Sequence, residues 1–254
     1  MGRVIAIVNQ KGGVGKSTTA VNLGAYMADA GKRVLLVDID PQGNASSGVG
    51  VNKGELEACM YDVLIEEQAL EGIVHPTGVP GLFVAPASIE LAGAEIQLVP
   101  TMSREYRLQR ALEGVRDGYD YVLIDSPPSL GLLTVNGLTA ADGALVPIQC
   151  EFYALEGLSQ LMQTIEIVRH HLNGKLEVDG VVMTMYDART NLSEQVSRDV
   201  RAFFHGKVQV YDTVIPRNVR LSEAPSFGQP ILLYDDGCSG AVAYRQLARE
   251  VMAG

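Results

Sequence analysis

Nine residues, Gln10-Lys11-Gly12-Gly13-Val14-Gly15-Lys16-Ser17-Thr18, follow an apolar run and precede a helix-forming segment. No other feature of the chain limits its fold as tightly. Glycines in such a loop let backbone N–H groups turn inward without a side-chain clash, and the amino end of the next helix attracts an anion. A lysine there reaches phosphate oxygens, and a hydroxyl ligates Mg2+. The loop works only between a buried strand and a helix, and its flanks satisfy that need. Arg3 to Asn9 (RVIAIVN) is an apolar run of the kind buried on both faces of a sheet. Ser17 to Ala30 predicts a helix ending at Gly31, and Arg33 to Asp38 (RVLLVD) completes a βαβ unit.

The same rhythm recurs down the chain. Tyr121–Asp125, Gly143–Ile148, Val178–Met185 and Val208–Ile215 read as strands, with a weaker one at Leu82–Ala85. Helices fit at roughly 103–116, 131–141, 154–172 and 191–204. No repeat and no Pro/Gly/Ser-rich linker divides the sequence, so residues 1–254 predict one α/β domain with a doubly wound, mostly parallel sheet flanked by helices. Hydrophobic residues at 47% and charged residues at 20% exclude wholesale disorder. No apolar stretch approaches the ~20 residues of a membrane span, and no secretory or myristoylation signal opens the chain. Three widely separated cysteines suggest neither a zinc site nor a disulfide framework, so the expectation is a reduced, cytoplasmic protein. The last helix, about Gly240 to Met252, carries an apolar stripe of Tyr244, Leu247, Ala248, Val251 and Met252. That stripe predicts packing on the sheet in preference to membrane anchoring.

Two strands end in acids. Asp38 and Asp40 lie at the carboxyl end of RVLLVD, where ligands of such sheets bind, and a carboxylate there positions an attacking water. Asp125 ends YVLID and is the candidate to hold Mg2+, with the Ser17 hydroxyl as a second ligand. Gly43 to Gly50 reads as a polar, flexible run suited to reordering when the γ-phosphate leaves.

The loop departs from the general pattern G-x-x-x-x-G-K-[ST], because Gln10 stands where the first Gly would be and Lys11 opens the glycine run. KGGVGKST resembles the deviant Walker A motif of the ParA/MinD family of ATPases, and VDIDPQGNASSG resembles the switch I region of ParA proteins. The stretches Gln149–Gly157, Thr184–Thr190 and Val214–Ser226 look like the chromosomal ParA branch called Soj, so the resemblance covers nearly the whole chain. It implies a P-loop NTPase of deviant Walker A type that hydrolyses ATP with Mg2+, slowly without a partner. Lys11, Lys16 and Asp40 are its implied catalytic residues. Gly12, Gly13, Val14, Gly15, Lys16, Ser17 and Thr18 cradle the phosphates together with Lys11, while Pro216 and Asn218 lie against the adenine. Ser17, Asp38 and Asp125 are the implied metal residues, Asp38 acting through water. The resemblance further implies that Lys11 crosses a dimer interface, so that two chains sandwich two ATP molecules. The homodimer then binds double-stranded DNA without sequence preference, at the nucleoid and not at a membrane, and a ParB-type centromere-binding protein releases it by stimulating hydrolysis.

A net charge of −10 argues against a nucleic-acid partner on average, yet charges more than about 8 Å apart in physiological salt barely interact. Residues 189–220 hold six basic and three acidic side chains, and Arg189 and Arg220 fall at family DNA-contact positions. Three other functions share the nucleotide fold: a MinD-like membrane-associated regulator, an electron-transfer ATPase like the nitrogenase iron protein, and a small-molecule ligase.

Overall fold

The computed structural model describes residues 2–151 and 154–254. Among these, eight strands form one sheet: β1 (Arg3–Ile7), β2 (Val34–Asp38), β3 (His75–Pro76), β4 (Leu82–Ala85), β5 (Tyr121–Asp125), β6 (Gly143–Gln149), β7 (Glu177–Tyr186) and β8 (Val210–Pro216). Their spatial order is β3-β4-β2-β5-β1-β6-β7-β8, and every pairing is parallel except that of the two-residue edge strand β3. The helices are α1 (Lys16–Asp29), α2 (Asn44–Gly48), α3 (Met60–Ile65), α4 (Leu91–Leu98), α5 (Arg107–Glu113), α6 (Leu132–Ala140), α7 (Ala154–His171), α8 (Asn191–Phe204), α9 (Val219–Glu223), α10 (Ile231–Tyr234) and α11 (Ser239–Ala253).

Side chains alternate along a strand, so each apolar run serves two cores. Val4, Ala6 and Val8 enter one, with α3 to α8; Ile5 and Ile7 enter the other, with α1 and α11. Leu35 and Val37 against Val34 and Leu36 divide the same way. Gly24 lets α1 lie close on the sheet, since a Cβ there would come within 3.2 Å of Leu82 Cδ1 and 3.3 Å of Leu123 Cδ1. The chain leaves β1 toward β2 over one face and later leaves β5 toward β6 over the other. With right-handed crossovers, that reversal puts a crevice at the carboxyl ends of the central strands.

The expected strands are all present, within two residues of their expected ends. One expected helix and one expected loop differ. The segment expected at 103–116 is broken: Ser103 adopts φ 53°, a 3-10 turn covers Arg104–Tyr106, α5 follows, and a second 3-10 turn covers Arg116–Gly118. The polar run after Gly43 is not a loose loop. Asn44–Gly48 form α2, and Ala45, Ser46 and Gly48 are buried in it. The reason is Asp38, whose carboxylate fixes Ser46 from inside. Phe152 and Tyr153 of the family-like stretch lie outside the described residues.

Candidate nucleotide-binding site

The loop between β1 and α1 is held open by backbone geometry. Gly13 and Gly15 take φ 75° and 89°, a left-handed conformation that strains other residues, and a Cβ on Gly13 would meet nothing within 4 Å. Gly15 caps α1 without a side-chain hydrogen bond, so the first-turn N–H groups face the loop with no intrahelical partner. Such a ring of donors at a positive helix end is suited to phosphate. The loop opens into a cleft of about 790 Å3, lined by Gly12, Gly13, Gly15, Lys16, Ser17 and Thr18 on one side. Asp40, Asn44, Pro216 and Asn218 are among the residues on the others, which leaves room for a nucleotide.

Lys16 is buried, and its ammonium donates to the Lys11 carbonyl at 3.2 Å. Burial lowers its pKa, against the opposing pull of Asp125 and Asp40. Asp38 and Asp125 are register neighbours at the ends of β2 and β5. Asp38 is fully buried and accepts from Ser46 N (2.8 Å), Ser46 Oγ (2.7 Å) and Asp40 N (3.1 Å). Its oxygens therefore fasten the loop that carries Asp40, and burial still raises its pKa to about 6. Asp40 lines the cleft, with Oδ1 fixed by the Gln42 N–H at 2.9 Å.

Asp125 differs from both. It is fully buried, and among the described residues neither carboxylate oxygen has a hydrogen-bond partner, although the Ser17 side chain lies close enough to lower its proton affinity. Burial and the neighbouring Asp38 charge push its pKa well up. A buried carboxylate without donors is costly, and a cation beside it removes the cost. The residues thus fit Mg2+, with Ser17 and Asp125 as the groups to hold it.

Lys11 does not line this cleft. Its ammonium is half-exposed and pairs with Glu151 Oε2 at 2.9 Å, while Gln149 donates to the other Glu151 oxygen. Pro216 and Asn218 line the cleft, and Asn218 also caps α9 by accepting from Arg220 N at 2.8 Å. Arg189 and Arg220 are exposed, but each is bracketed by acids of its own chain: Asp187 at 2.7 Å for Arg189, and Glu223 at 3.0 Å with Asp235 at 3.5 Å for Arg220.

Some supporting residues escape sequence reasoning. Thr184, buried at the carboxyl end of β7, donates to the Val14 carbonyl at 2.8 Å and so holds the glycine loop. Met185 beside it takes φ 52° and lines the cleft. Tyr244 of α11 lines the cleft too, its hydroxyl 3.1 Å from Thr19 Oγ1. A polar residue at the end of an apolar strand was the available signal for Thr184; Tyr244 gave none beyond its place in an apolar stripe.

A doubly wound sheet with this loop, a buried lysine and paired strand-end acids defines a P-loop ATPase of the deviant Walker A type. Comparison with known proteins agrees. A family model described as an AAA domain matches residues 2–178. The chain is 61% identical to the sporulation initiation inhibitor protein Soj of Bacillus subtilis, covering 100% of this chain and 99% of that one. It is 59% identical to the chromosome partitioning protein ParA of Caulobacter vibrioides over 99% of this chain and 94% of that one. Among solved structures, a cobyrinic acid a,c-diamide synthase from Mycobacterium smegmatis with bound ADP and magnesium superimposes with a TM-score of 0.86. Identity to it is 39%, covering 99% of this chain and 94% of that one. The chain belongs to the ParA/Soj family of chromosome-partitioning ATPases. It is accordingly an ATPase, with ATP and Mg2+ as its nucleotide and metal. Among the described residues no helix is long and apolar enough to cross a membrane.

Proposed function

We propose that this single-domain chain is a DNA-segregation ATPase whose ATP-bound form is a homodimer, each chain supplying Lys11 to the phosphates held by the other. The dimer binds double-stranded DNA without sequence preference, and a ParB-type partner stimulates hydrolysis and releases it, giving a cytoplasmic, nucleoid-associated protein. The observation that carries this reading is the place of Lys11. A phosphate-loop lysine whose side chain stays out of its own cleft, half-exposed and held, among the described residues, by a surface ion pair, is available to a nucleotide on another chain.

The remaining roles follow from geometry. Loop N–H groups and Lys16 bind and orient the β- and γ-phosphates. Ser17 and Asp125 would hold Mg2+, with Asp38 acting through water, and the ion would supply charge neutralisation at the phosphate oxygens. Asp40, fixed by Gln42 N, orients the attacking water and accepts its proton. One carboxylate is a sparse water-positioning apparatus, which supports slow turnover without a partner. Pro216 and Asn218 offer a flat ring and an amide to the base.

DNA affinity falls to exposed arginines. Arg189 and Arg220 each exchange an intramolecular acid for a DNA phosphate, and dimerisation doubles the patch. If each meets one phosphate, a dimer neutralises about four, giving a salt slope of roughly −3 to −4. A MinD-like, membrane-associated reading needs an apolar face on α11. That stripe is instead largely buried against α1 and β8, which counts against it.

The test is DNA binding with ATP, ADP and a non-hydrolysable ATP analogue. Asp40→Ala is expected to bind ATP and stay trapped on DNA as a dimer. Lys16→Ala loses nucleotide, and the double change Arg189→Glu/Arg220→Glu loses DNA but keeps nucleotide. A monomeric Asp40→Ala protein in saturating ATP, or full DNA affinity in the double variant, would contradict the reading.

A further inference from the structure

Among the described residues, one surface is apolar and exposed. Backbone hydrogen bonds continue α4 helically at both ends, from Ile89 to Val99. Its inner side, Leu91, Ala94 and Leu98, is buried. Ile89, Ala92, Ile96, Val99 and Pro100 fall on the opposite side at helical spacing. Ile89, Ile96 and Val99 are 67%, 76% and 57% exposed, and Met102 just beyond is 89% exposed. Lone exposed apolar side chains need no explanation, but a continuous stripe marks a contact surface.

The surroundings say what would cover it. Residues 54–103 hold eight carboxylates and no lysine or arginine. Glu90 is exposed on α4, and Glu57, also exposed, lies two residues from Cys59, whose thiol is 3.1 Å from Ser88 Oγ. Arg104, which follows the stripe, is taken up by the Val99 carbonyl and by Glu105 at 3.0 Å. A second copy of this chain would bring the same negative field and be repelled. A basic partner would be attracted.

The stripe also adjoins both acidic loops of the nucleotide site. Ala87, two residues before Ile89, donates to Ser46 Oγ at 3.0 Å, and Ser46 in turn donates to Asp38. On the inner side of α4, Glu95 lies against Gly131, in the loop after β5, and its buried Oε1 has no hydrogen-bond partner among the described residues.

We propose that the outer face of α4 is the docking surface for a basic segment with apolar side chains from a partner protein. Leucine-type side chains would cover Ile96 and Val99, and lysine or arginine would meet Glu57 and Glu90. As the contact that bears on hydrolysis, it rests on the partner-stimulated reading above; as a binding surface, it can be measured without turnover.

The probe is a fluorescent 16-residue peptide of leucine and lysine patterned to put leucines on one helical face, titrated into the full chain by anisotropy. A scrambled peptide of equal composition and a leucine–glutamate peptide serve as controls. The amphipathic basic peptide is expected to bind, the controls at least tenfold more weakly. Ile96→Ser/Val99→Ser should lose at least tenfold in affinity with an unchanged Tm. Glu57→Lys/Glu90→Lys should lose about threefold or more and flatten the salt dependence. Equal binding by the scrambled peptide, or unchanged affinity in the serine variant, would overturn the proposal. So would a serine variant whose ATP-dependent dimer weakens while peptide affinity stays the same, because the stripe would then meet a second copy. ATP turnover enters none of these readouts, so a ParB-type protein that fails to stimulate hydrolysis would count against the functional reading alone.

Discussion

Replacing Ser46 with alanine removes a hydroxyl whose two hydrogen bonds both lie in the interior. It donates to Asp38 Oδ2 at 2.7 Å and accepts from Ala87 N at 3.0 Å, and Ser46 and Asp38 are both fully buried. At pH 7.5 the Asp38 carboxylate is above the value of about 6 to which burial pushes it, so the lost bond is to a charged group. Such a bond is worth roughly 1.5–3 kcal/mol, and a buried N–H left without an acceptor costs roughly 1–3 kcal/mol. The Ser46 N–H still reaches the same carboxylate at 2.8 Å and limits the damage. We expect a net loss of about 3 kcal/mol, which in a chain of this size lowers Tm by roughly 6–12 °C. Thermal unfolding of the nucleotide-free protein measures it. Turnover should fall at least tenfold, because the loop that carries Asp40 loosens. ADP affinity should stay within twofold, because Lys16 and the glycine loop are untouched. A Tm shift under 2 °C, or a loss of ADP affinity as large as the loss of turnover, would refute the argument.

Asp125→Asn tests the unpartnered buried carboxylate. Burial raises the folded-state pKa of Asp125, so wild-type stability from this group is present at low pH and lost as pH rises. Asparagine has no such loss. The nucleotide-free variant should exceed wild type by roughly 1–3 kcal/mol at pH 8 and by less at pH 5, while Mg2+-dependent turnover collapses. Denaturant titrations at the two pH values check the sign, and a gap that narrows with rising pH would contradict it. Glu151→Gln should free Lys11 from its intramolecular pair. Exposed pairs are worth roughly 0.2–1 kcal/mol and a dimer holds two, so the ATP-bound dimer should tighten by about 2- to 30-fold. Sedimentation in an Asp40→Ala background reads this out, and a weaker dimer would argue against it.

Much of this architecture is readable in the sequence for a physical reason. Strands buried on both faces leave continuous apolar runs, as in VLLVD and YVLID, and a glycine loop between strand and helix has few other uses. Acids that end such strands must lie at the carboxyl edge of the sheet, so Asp38, Asp40 and Asp125 could be placed together. What stayed hidden depends on tertiary partners. NASSG has a loop-like composition and folds as a helix because Ser46 is tied to the buried carboxylate of Asp38, eight residues earlier at the end of β2. Residues 103–116 keep a helical period but break at Ser103 and again after Glu113, where turns take over. The site support from Thr184 and Tyr244 comes from β7 and α11, more than 160 residues beyond the loop they brace. The pairing of Lys11 with Glu151 spans 140 positions, and no local pattern announces it.

The sharing of lysines between chains is tested most directly by mixing two inactive proteins. Lys11→Ala retains Asp40 but cannot complete its neighbour's site, whereas Asp40→Ala retains Lys11 but cannot orient water. If the lysines are shared as proposed, in a mixed dimer the Asp40 site of the first chain receives Lys11 from the second. ATP turnover absent from either protein alone should therefore appear on mixing and peak near equal proportions. A mixture as inactive as its components, in dimers shown to have exchanged chains, would mean that Lys11 serves its own nucleotide.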